Sequence, residues 1–444
     1  MIRPTLPFHH RLLLVLLVAP LLSWHLGSDV DPDIEAAIAR IDQALYDGEL
    51  EPAASAIDAL IARHATDPRL WSAVGHLHGR YNRLAEAEAA FRRAARELEV
   101  LGRASEAAEA RRELGHVLYR RKNFPAAVAA LERSRRAGGA VNGPLMNLLA
   151  AFDADQPYRI RGEASVKVPL STEIVPTVQV SIGDAGPFRF VVDTGAGLSV
   201  ISSHVAEACG IESHSEAKAY GAGGSNLIPI DLARVDALFI GELSIDDVPV
   251  AVVDSARLEF RLRQLEEPLR LDGILGLPLL REFARVTLDF QGKTFELAQG
   301  GEETGRDAGH PINFVKDQLF VVVETASEEA LHFFIDTGAN VSSITDQGLQ
   351  RIAIDDSELT FSEKSVFGAA GHKLVDKEYR PAELSMGDRV FHHPALIVET
   401  TDPHQRRRVR RDGVLGSDLL ETGRITFDFA AMQMRWNEAA ASPR

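Results

Sequence analysis

Two copies of one tripeptide are the residues of this chain best suited to chemistry. Asp193-Thr194-Gly195 lies in FRFVVDTGAGLSVIS and Asp336-Thr337-Gly338 lies in HFFIDTGANVSSIT, 143 residues further on. Each copy follows an apolar, strand-like run and precedes Ser or Thr residues among apolar ones. One such tripeptide arises easily by chance. Two in matched surroundings indicate two carboxylates that a duplicated fold brings to one point.

Two carboxylates in contact can perform acid–base chemistry that a lone buried carboxylate performs poorly. Desolvation favours the neutral form of a lone Asp, which makes it a weak base. Like charges a few ångströms apart cannot both ionise easily, so the pair shares one proton. The ionised member can then take a proton from water while the protonated member donates to a carbonyl oxygen. The pair titrates as a unit, and the chemistry implies neither a metal nor an organic cofactor.

The residues that follow each Asp fit this task. Gly195 and Gly338 permit a tight turn and expose backbone N–H groups to the carboxylates. Thr194 and Thr337 supply hydroxyl groups that can lock the turn. We therefore expect these four residues to support the two Asp residues.

Three further landmarks recur in the same order in both halves of this β-rich region. They are Gly221 and Gly368, 147 residues apart; Asp272–Gly276 and Asp412–Gly416, 140 apart; and Val286–Phe290 and Ile425–Phe429, 139 apart. The repetition predicts two all-β lobes, residues 160–300 and 308–438. The polar, Gly-rich segment Gly300–Gly305 between them is typical of a linker.

This constellation resembles the aspartic protease superfamily, and its D-T-G-A form and Gly-rich segments are closer to the retropepsin-like branch than to pepsin. The resemblance covers both lobes. It implies that Asp193 and Asp336 are the catalytic dyad and face each other across a water. It also implies Gly-rich flaps that close over an extended peptide. The implied flap and substrate-binding residues are Tyr220, Gly221, Gly223, Phe367 and Gly368.

The chain holds both halves of such a site, as the pepsin branch does. The two lobes are therefore expected to form a pseudo-dimer. In the alternative arrangement, each lobe pairs with its twin in a second chain.

The region before the lobes, residues 33–151, is rich in Ala, Leu, Arg and Glu with helical spacing of apolar residues. Gly75 and Phe91 recur as Gly115 and Leu131, which resembles an array of tetratricopeptide (TPR) helical hairpins. These units are spaced by 40 residues, more than the usual 34 or so, so the helix around Glu97–Ala110 is expected to be extended. The array could hold a protein partner, or it could cap the lobes and bind nothing.

The N-terminus predicts export. Arg3 and Arg11 precede the apolar run Leu12–Leu22, which fits a signal peptide or signal anchor over residues 1–28. The protein is then periplasmic or otherwise extracytoplasmic, and an uncleaved segment would be its only membrane contact. The alternative is an apolar helix packed on the protein.

Composition excludes some classes of function. The net charge of −16 argues against nucleic-acid binding, and one cysteine, Cys209, allows neither an intrachain disulfide nor a cysteine-based zinc site. The basic run Arg406–Arg411 is expected to be a solvated loop. Its alternatives are steering of acidic substrate segments and a proteolytic processing site.

These observations predict a multidomain protein in which all-α, TPR-like helical hairpins precede two all-β, acid-protease-like lobes. The predicted function is aspartic endopeptidase activity on a peptide or protein substrate. Two alternatives remain at this stage. One is a peptide-binding protein whose dyad is inactive. The other is a TPR scaffold to which the lobes are accessory.

Overall fold

The computed structural model describes residues 32–141, 143–152, 157–220, 227–261, 266–300, 309–368, 371–400 and 409–437. The predicted signal segment, residues 1–28, lies outside these ranges. So do residues 221–226 and 369–370, where the two Gly-rich segments turn.

Seven helices precede the lobes, as the helical periodicity predicts. They are α1 (Pro32–Asp47), α2 (Leu50–His64), α3 (Pro68–Arg80), α4 (Leu84–Val100), α5 (Ala104–Arg120), α6 (Phe124–Arg136) and α7 (Gly143–Ala151). Local sequence sets several helix starts. Asp67 accepts the N–H of Arg69, and Pro68 occupies the first turn, where a missing N–H costs nothing. Asn123 caps α6 in the same way, accepting the N–H of Ala126.

Small residues allow the helices to approach closely where the repeat predicts it. A Cβ added to Gly75 would lie 2.8 Å from ring atoms of Phe91, so α3 and α4 touch at this point. In the next hairpin, a Cβ on Gly115 would lie 2.5 Å from Cγ of Leu131. The two repeated Gly positions therefore meet the two repeated large apolar positions.

The prediction of an extended helix around Glu97–Ala110 is wrong. Helix α4 ends at Val100, and α5 begins at Ala104 after a turn in which Gly102 has a φ of +70°. Only glycine adopts this conformation without strain, so Gly102 ends the helix. The extra residues of the longer repeat lengthen both helices, which have 17 residues each.

Lobe 1 contains a closed barrel. Its strands are β1 (Arg159–Arg161), β2 (Ser165–Pro169), β3 (Thr177–Ile182), β4 (Ala185–Asp193), β5 (Ser199–Ser202), β6 (Ser213–Tyr220), β7 (Leu227–Ile240), β8 (Leu243–Val253), β9 (Glu259–Phe260), β10 (Leu269–Arg270), β11 (Gly273–Gly276), β12 (Arg285–Asp289) and β13 (Thr294–Ala298). Two short helices, α8 (Ser203–Ala208) and α9 (Leu277–Leu280), lie among them. The order β1-β8-β5-β11-β4-β3-β7-β6 closes because β7 also pairs with β8.

Lobe 2 repeats these elements in sequence. Its strands are β14 (His310–Val315), β15 (Gln318–Thr325), β16 (Ala330–Ile335), β17 (Ser343–Thr345), β18 (Thr360–Gly368), β19 (Gly371–Tyr379), β20 (Glu383–Met386), β21 (Arg389–His392), β22 (Leu396–Glu399), β23 (Gly413–Leu415), β24 (Arg424–Asp428) and β25 (Gln433–Asn437). Two short helices, α10 (Asp346–Arg351) and α11 (Ser417–Leu420), occur at the same places as α8 and α9. The fold class predicted from the sequence is confirmed, since helices precede two β-rich lobes.

The two lobes join through strands that are each other's sequence repeats. Strand β12 pairs with β24 in antiparallel register, and Thr287 lies opposite Thr426 with their hydroxyl groups 2.9 Å apart. These two residues are equivalent in the repeat, so the pairing has the self-complementary form of a twofold dimer interface. Apolar residues from both lobes, among them Val286, Leu288 and Phe427, share one core across this sheet.

A buried polar network docks the helical region on lobe 2. The Arg80 guanidinium donates to the carbonyl oxygen of Leu45 (2.7 Å) and to Asn313 Oδ1 (3.3 Å). The Asn313 amide donates to His332 Nε2 (3.3 Å), and His332 Nδ1 donates to the carbonyl oxygen of Arg410 (3.0 Å). Burial and the charge of Arg80 lower the pKa of His332 to about 3, so the ring is neutral and has one donor and one acceptor nitrogen.

Arg410 closes this network, and the expectation of a solvated basic loop is wrong for this residue. Its guanidinium donates to Asp47 of α1 and, at 2.8 Å, to Asp412 Oδ2. Its backbone N–H donates to the carbonyl oxygen of Tyr46 (2.8 Å), and only 9% of the residue is exposed. Two carboxylates neutralise the charge, so the arginine can be buried. Residues 401–408 lie outside the described ranges.

None of the helices in the described ranges is long and apolar enough to cross a membrane.

The helix contacts can be tested with two glycines of α3. Gly75→Ala should lower the free energy of unfolding by about 1–3 kcal/mol, because its methyl group overlaps the Phe91 ring. Gly79→Ala is the control, since a Cβ there meets nothing within 4 Å. That change should be neutral or stabilising by up to about 1 kcal/mol. Chemical denaturation of both variants measures the difference, and equal effects would contradict the predicted overlap.

Candidate active site

Matched strand ends hold the two Asp residues. Asp193 is the last residue of β4, and Asp336 directly follows β16. Behind each, a short parallel strand braces the turn. Strand β11 places Gly276 beside Asp193, and on the other side the N–H of Asp336 donates to the carbonyl oxygen of Leu415 in β23 (3.0 Å). The apolar-apolar-Gly landmarks of the sequence are these bracing strands.

The two turns are fastened to each other by their threonines. Thr194 Oγ1 donates to the carbonyl oxygen of Ile335 (2.9 Å) and accepts the N–H of Thr337 (3.1 Å). Thr337 Oγ1 in turn donates to the carbonyl oxygen of Val192 (2.6 Å) and accepts the N–H of Thr194 (3.0 Å). Both threonines are 0% exposed. Four buried hydrogen bonds thus fix one turn against the other within a single chain.

Each glycine of the tripeptide makes room for the opposite carboxyl group. A Cβ on Gly195 would lie 2.4 Å from Cγ of Asp336, and a Cβ on Gly338 would lie 2.5 Å from Cγ of Asp193. Real atoms cannot approach so closely. The sequence therefore needs glycine here for contact across the interface, in addition to the tight turn.

Each carboxylate is oriented by backbone N–H groups of its own turn. Asp193 Oδ1 accepts from Gly195 (2.7 Å) and Ala196 (3.0 Å). Asp336 Oδ1 accepts from Gly338 and Ala339, both at 3.0 Å. The two carboxyl groups are also hydrogen-bonded to each other, which requires a shared proton. Both Asp residues remain partly exposed, so water can reach them.

The surroundings favour one proton on the pair. Burial raises the pKa of Asp193, although hydrogen bonds from Asp336 and the turn oppose the shift. Burial and the negative charge of Asp193 hold the pKa of Asp336 well above its usual range. The charge of Arg411, which lies 3.6 Å from the Glu399 carboxylate, also acts on Asp336. The shared proton belongs to the dyad and to neither residue alone.

Two buried serines that the sequence analysis missed support the turns. Ser199 Oγ accepts the N–H of Gly276 (3.1 Å), and Ser342 Oγ accepts the N–H of Gly416 (2.9 Å). Both serines are 0% exposed, and 143 residues separate them, as they separate the two Asp residues. The shared spacing was the signal that could have identified them.

Asp412 and Asp272 hold the strands that lead to the dyad. Asp412 Oδ2 accepts the N–H of His332 (2.7 Å), and Asp272 Oδ2 accepts the N–H of Arg189 (2.8 Å). Each acceptor stands four residues before a dyad Asp. The recurring Asp residues therefore tie the bracing strand to the dyad strand.

The Gly-rich segments lie at the ends of antiparallel hairpins. In lobe 1, β6 ends at Tyr220, whose register partner is Leu227 of β7; Gly221 and Gly223 lie outside the described residues. In lobe 2, Phe367 and Gly368 end β18, and Gly368 lies opposite Gly371 of β19. Both hairpins follow their dyad turn in the order expected of flaps.

The described ranges contain no group of three or more His, Cys, Asp or Glu side chains that could hold a metal ion.

Comparison with known proteins agrees with this geometry. The aspartyl protease family matches residues 178–279 and 321–419, one segment in each lobe, and each segment contains one Asp-Thr-Gly turn. The two lobes belong to the aspartyl protease family. The resemblance predicted from the sequence is thereby confirmed for the lobes.

Solved structures of aspartic proteases are also similar to the chain. An aspartic proteinase from Irpex lacteus has 13% sequence identity and a TM-score of 0.40, over 63% of this chain and 100% of that one. A retropepsin-like aspartic protease from Rickettsia conorii has 16% identity and a TM-score of 0.21, over 32% of this chain and 93% of that one. No curated protein matches the sequence.

Two neighbouring glycines test the contact between the turns. Gly195→Ala should destabilise the lobes by about 1–3 kcal/mol, because its Cβ would overlap the Asp336 carboxyl group. Gly197→Ala is the matched control, since no atom lies within 4 Å of the added carbon. Urea unfolding of both variants measures the effect. Equal stabilities would show that the turns are not in contact as described.

The raised pKa values of the dyad predict the pH dependence of stability. The native dyad keeps a proton that the unfolded chain releases near pH 4. Above this pH the native state binds more protons, so this contribution to stability is present at low pH and is lost as pH rises through the raised pKa. Asp336→Asn removes the penalty. Its melting temperature relative to wild type should therefore increase between pH 4 and pH 8.

Thermal unfolding of wild type and Asp336→Asn across this range tests the sign. Asp388→Asn, which removes a carboxylate from an exposed position, is the control for net charge. A melting-temperature difference that stays constant or shrinks as pH rises would contradict the raised pKa values.

Proposed function

We propose that this protein is an aspartic endopeptidase, which hydrolyses peptide bonds with a water activated between Asp193 and Asp336. The observation that carries the proposal is the pair of hydrogen-bonded, partly exposed carboxyl groups with raised pKa values. Such a pair holds an acid and a base side by side near neutral or mildly acidic pH. The family of the lobes supports the same reaction.

The two carboxyl groups have complementary roles in the proposed reaction. The ionised carboxylate takes a proton from the water as its oxygen bonds to the peptide carbonyl carbon. The protonated carboxyl group gives its proton to the carbonyl oxygen, which yields a tetrahedral diol. As the C–N bond breaks, the amine leaves with a proton from the dyad, and a diol hydroxyl returns one. The dyad ends with the single proton with which it began.

Neighbouring residues would keep these atoms in place. Thr194 and Thr337 fix the distance between the turns through their crossed hydrogen bonds. Gly195 and Gly338 allow each turn to approach the opposite carboxyl group. Tyr220, Gly221, Gly223, Phe367 and Gly368 are proposed to cover a bound peptide. Positioning of this kind contributes strongly to rate, because small displacements of the reacting groups are costly.

The proposal extends to the rest of the chain in two respects. The apolar run within residues 1–28 would direct export to an extracytoplasmic compartment, with membrane contact only through this segment if it is uncleaved. N-terminal sequencing of the mature protein tests that point. The TPR-like hairpins offer a surface for a protein partner, which affinity capture with residues 32–141 deleted would test.

Single substitutions in the dyad test the proposed reaction. Asp193→Asn or Asp336→Asn should each lower kcat for peptide cleavage by at least roughly 10³-fold, because each removes either the acid or the base. Mass spectrometric mapping of fragments from a peptide library, between pH 3 and pH 8, measures this activity. Asp388→Asn is the control and should cleave like the wild type.

Two results would count against the proposal. Cleavage retained in either dyad variant would show that the activity arises elsewhere. A wild type that binds peptides and produces no fragments at any pH would favour the alternative, a peptide-binding protein with an inactive dyad.

A further inference from the structure

The face of lobe 1 that carries Asp193 also carries apolar side chains. Val191 precedes Asp193 by two residues on β4, and residues two apart along a strand project from the same face. Ile274 of β11 is the parallel register partner of Val191 and shares this face. Phe190 and Val192 point the other way, into the barrel core. Any peptide that reaches Asp193 must therefore lie along Val191 and Ile274.

Helix α7 of the N-terminal region covers this face. Leu145, Leu148 and Leu149 of α7, with Phe152 just beyond it, are buried in one continuous apolar cluster that includes Val191. Ile274 packs against the same cluster. Val191 is only 4% exposed, although it stands two residues from a partly exposed Asp193.

The same helix lies against the inner face of the lobe 1 hairpin. Helix α7 packs on β6 and β7. Along β7, the alternate residues Ile228, Ile230 and Leu232 are buried in the cluster that contains the α7 leucines, whereas Leu227 on the opposite face is 48% exposed. The hairpin thus turns towards α7 the face that it turns towards Val191.

Lobe 2 has no such cover. Phe334 and Val414 are the repeat equivalents of Val191 and Ile274, and they are buried with Phe320 and Val409 of their own lobe. No described residue of the helical region belongs to that cluster. On the lobe 2 hairpin, Leu374 is 64% exposed. Only one half of the pseudo-dimer is therefore occupied by a helix.

We propose that α7 is an autoinhibitory segment that fills the lobe 1 half of the peptide-binding cleft and must withdraw before substrate binds. This inference rests on the proposed peptidase function. It also specifies a substrate class. A face lined by Val191, Ile228, Ile230 and Ile274, and filled at rest by Leu and Phe side chains, would accept a peptide with large aliphatic or aromatic residues beside the scissile bond.

The first test is the activity of the full chain with a weakened α7 contact. Leu148→Ala/Leu149→Ala removes apolar contacts of the helix. If α7 blocks the cleft, this double variant should raise kcat/KM for a peptide with Leu and Phe at its centre by about tenfold, because more of the protein is competent to bind. Leu98→Ala is the control, since Leu98 is buried between α4 and α5 in a cluster without lobe residues. It should leave kcat/KM unchanged.

The second test does not need catalysis. In the Asp193→Asn background, fluorescence anisotropy with a fluorescein-labelled peptide of the same sequence measures binding. The dissociation constant should fall by about tenfold when Leu148→Ala/Leu149→Ala is added. Tighter binding with no cleavage by any variant would refute the peptidase function and support the inhibitory role of α7. Unchanged, weaker or absent binding by the folded double variant would refute the inhibitory role.

Hydrogen exchange distinguishes a movable helix from a fixed wall of the cleft. The amides of α7 in the Asp193→Asn protein should lose protection when saturating peptide is added. Protection of α7 that persists with peptide bound would show that the helix is a permanent part of the site and would overturn the proposal.

Discussion

The crossed hydrogen bonds between Thr194 and Thr337 are the interaction on which the rest of the site depends. Each hydroxyl group donates to the strand behind the opposite Asp and accepts an N–H from the opposite turn. Their burial makes them costly to break, since an unpaired buried group loses its partner without gaining water. They hold two carboxylates at a separation that their charges alone would increase, and burial then keeps a proton on the pair. The acid–base capacity of the dyad is therefore a consequence of how the turns are fastened.

The helical region is coupled to this site at two places with different physics. On lobe 2, the polar network of Arg80, Asn313, His332 and Arg410 reaches strand β16 four residues before Asp336, and its donors and acceptors are matched one to one. On lobe 1, the contact of α7 is apolar and has no directional hydrogen bonds among the cluster members. A directional contact fixes a position, whereas an apolar one can be exchanged for another apolar ligand. The first therefore suits permanent docking, and the second suits a replaceable occupant.

Sequence patterns predicted much of this arrangement because the fold is duplicated. The recurring landmarks identified the dyad, its supporting Thr and Gly residues and the bracing strands, since each needs a particular residue type at a fixed place. The end of α4 at Gly102 was missed because one glycine within a helical pattern does not by itself end a helix. The burial of Arg410 was missed because its two carboxylate partners, Asp47 and Asp412, include one that is 363 residues distant in the chain. The position of α7 was missed because its leucines look like those of any amphipathic helix. Contacts between domains depend on shape that local pattern does not encode.

The pairing of Thr287 with Thr426 in the sheet that joins the lobes means that two equivalent strands meet as they would in a dimer of identical chains. In such a dimer every substitution appears twice, so neither half can change alone. A single chain removes that restriction. Here Arg410 has its own role in lobe 2, while the equivalent Arg270 of lobe 1 lies exposed beside Glu259, and only lobe 1 carries a helix on its cleft face. The joined halves can thus keep a symmetric reaction centre while one serves as the docking site of the helical region and the other as its point of control.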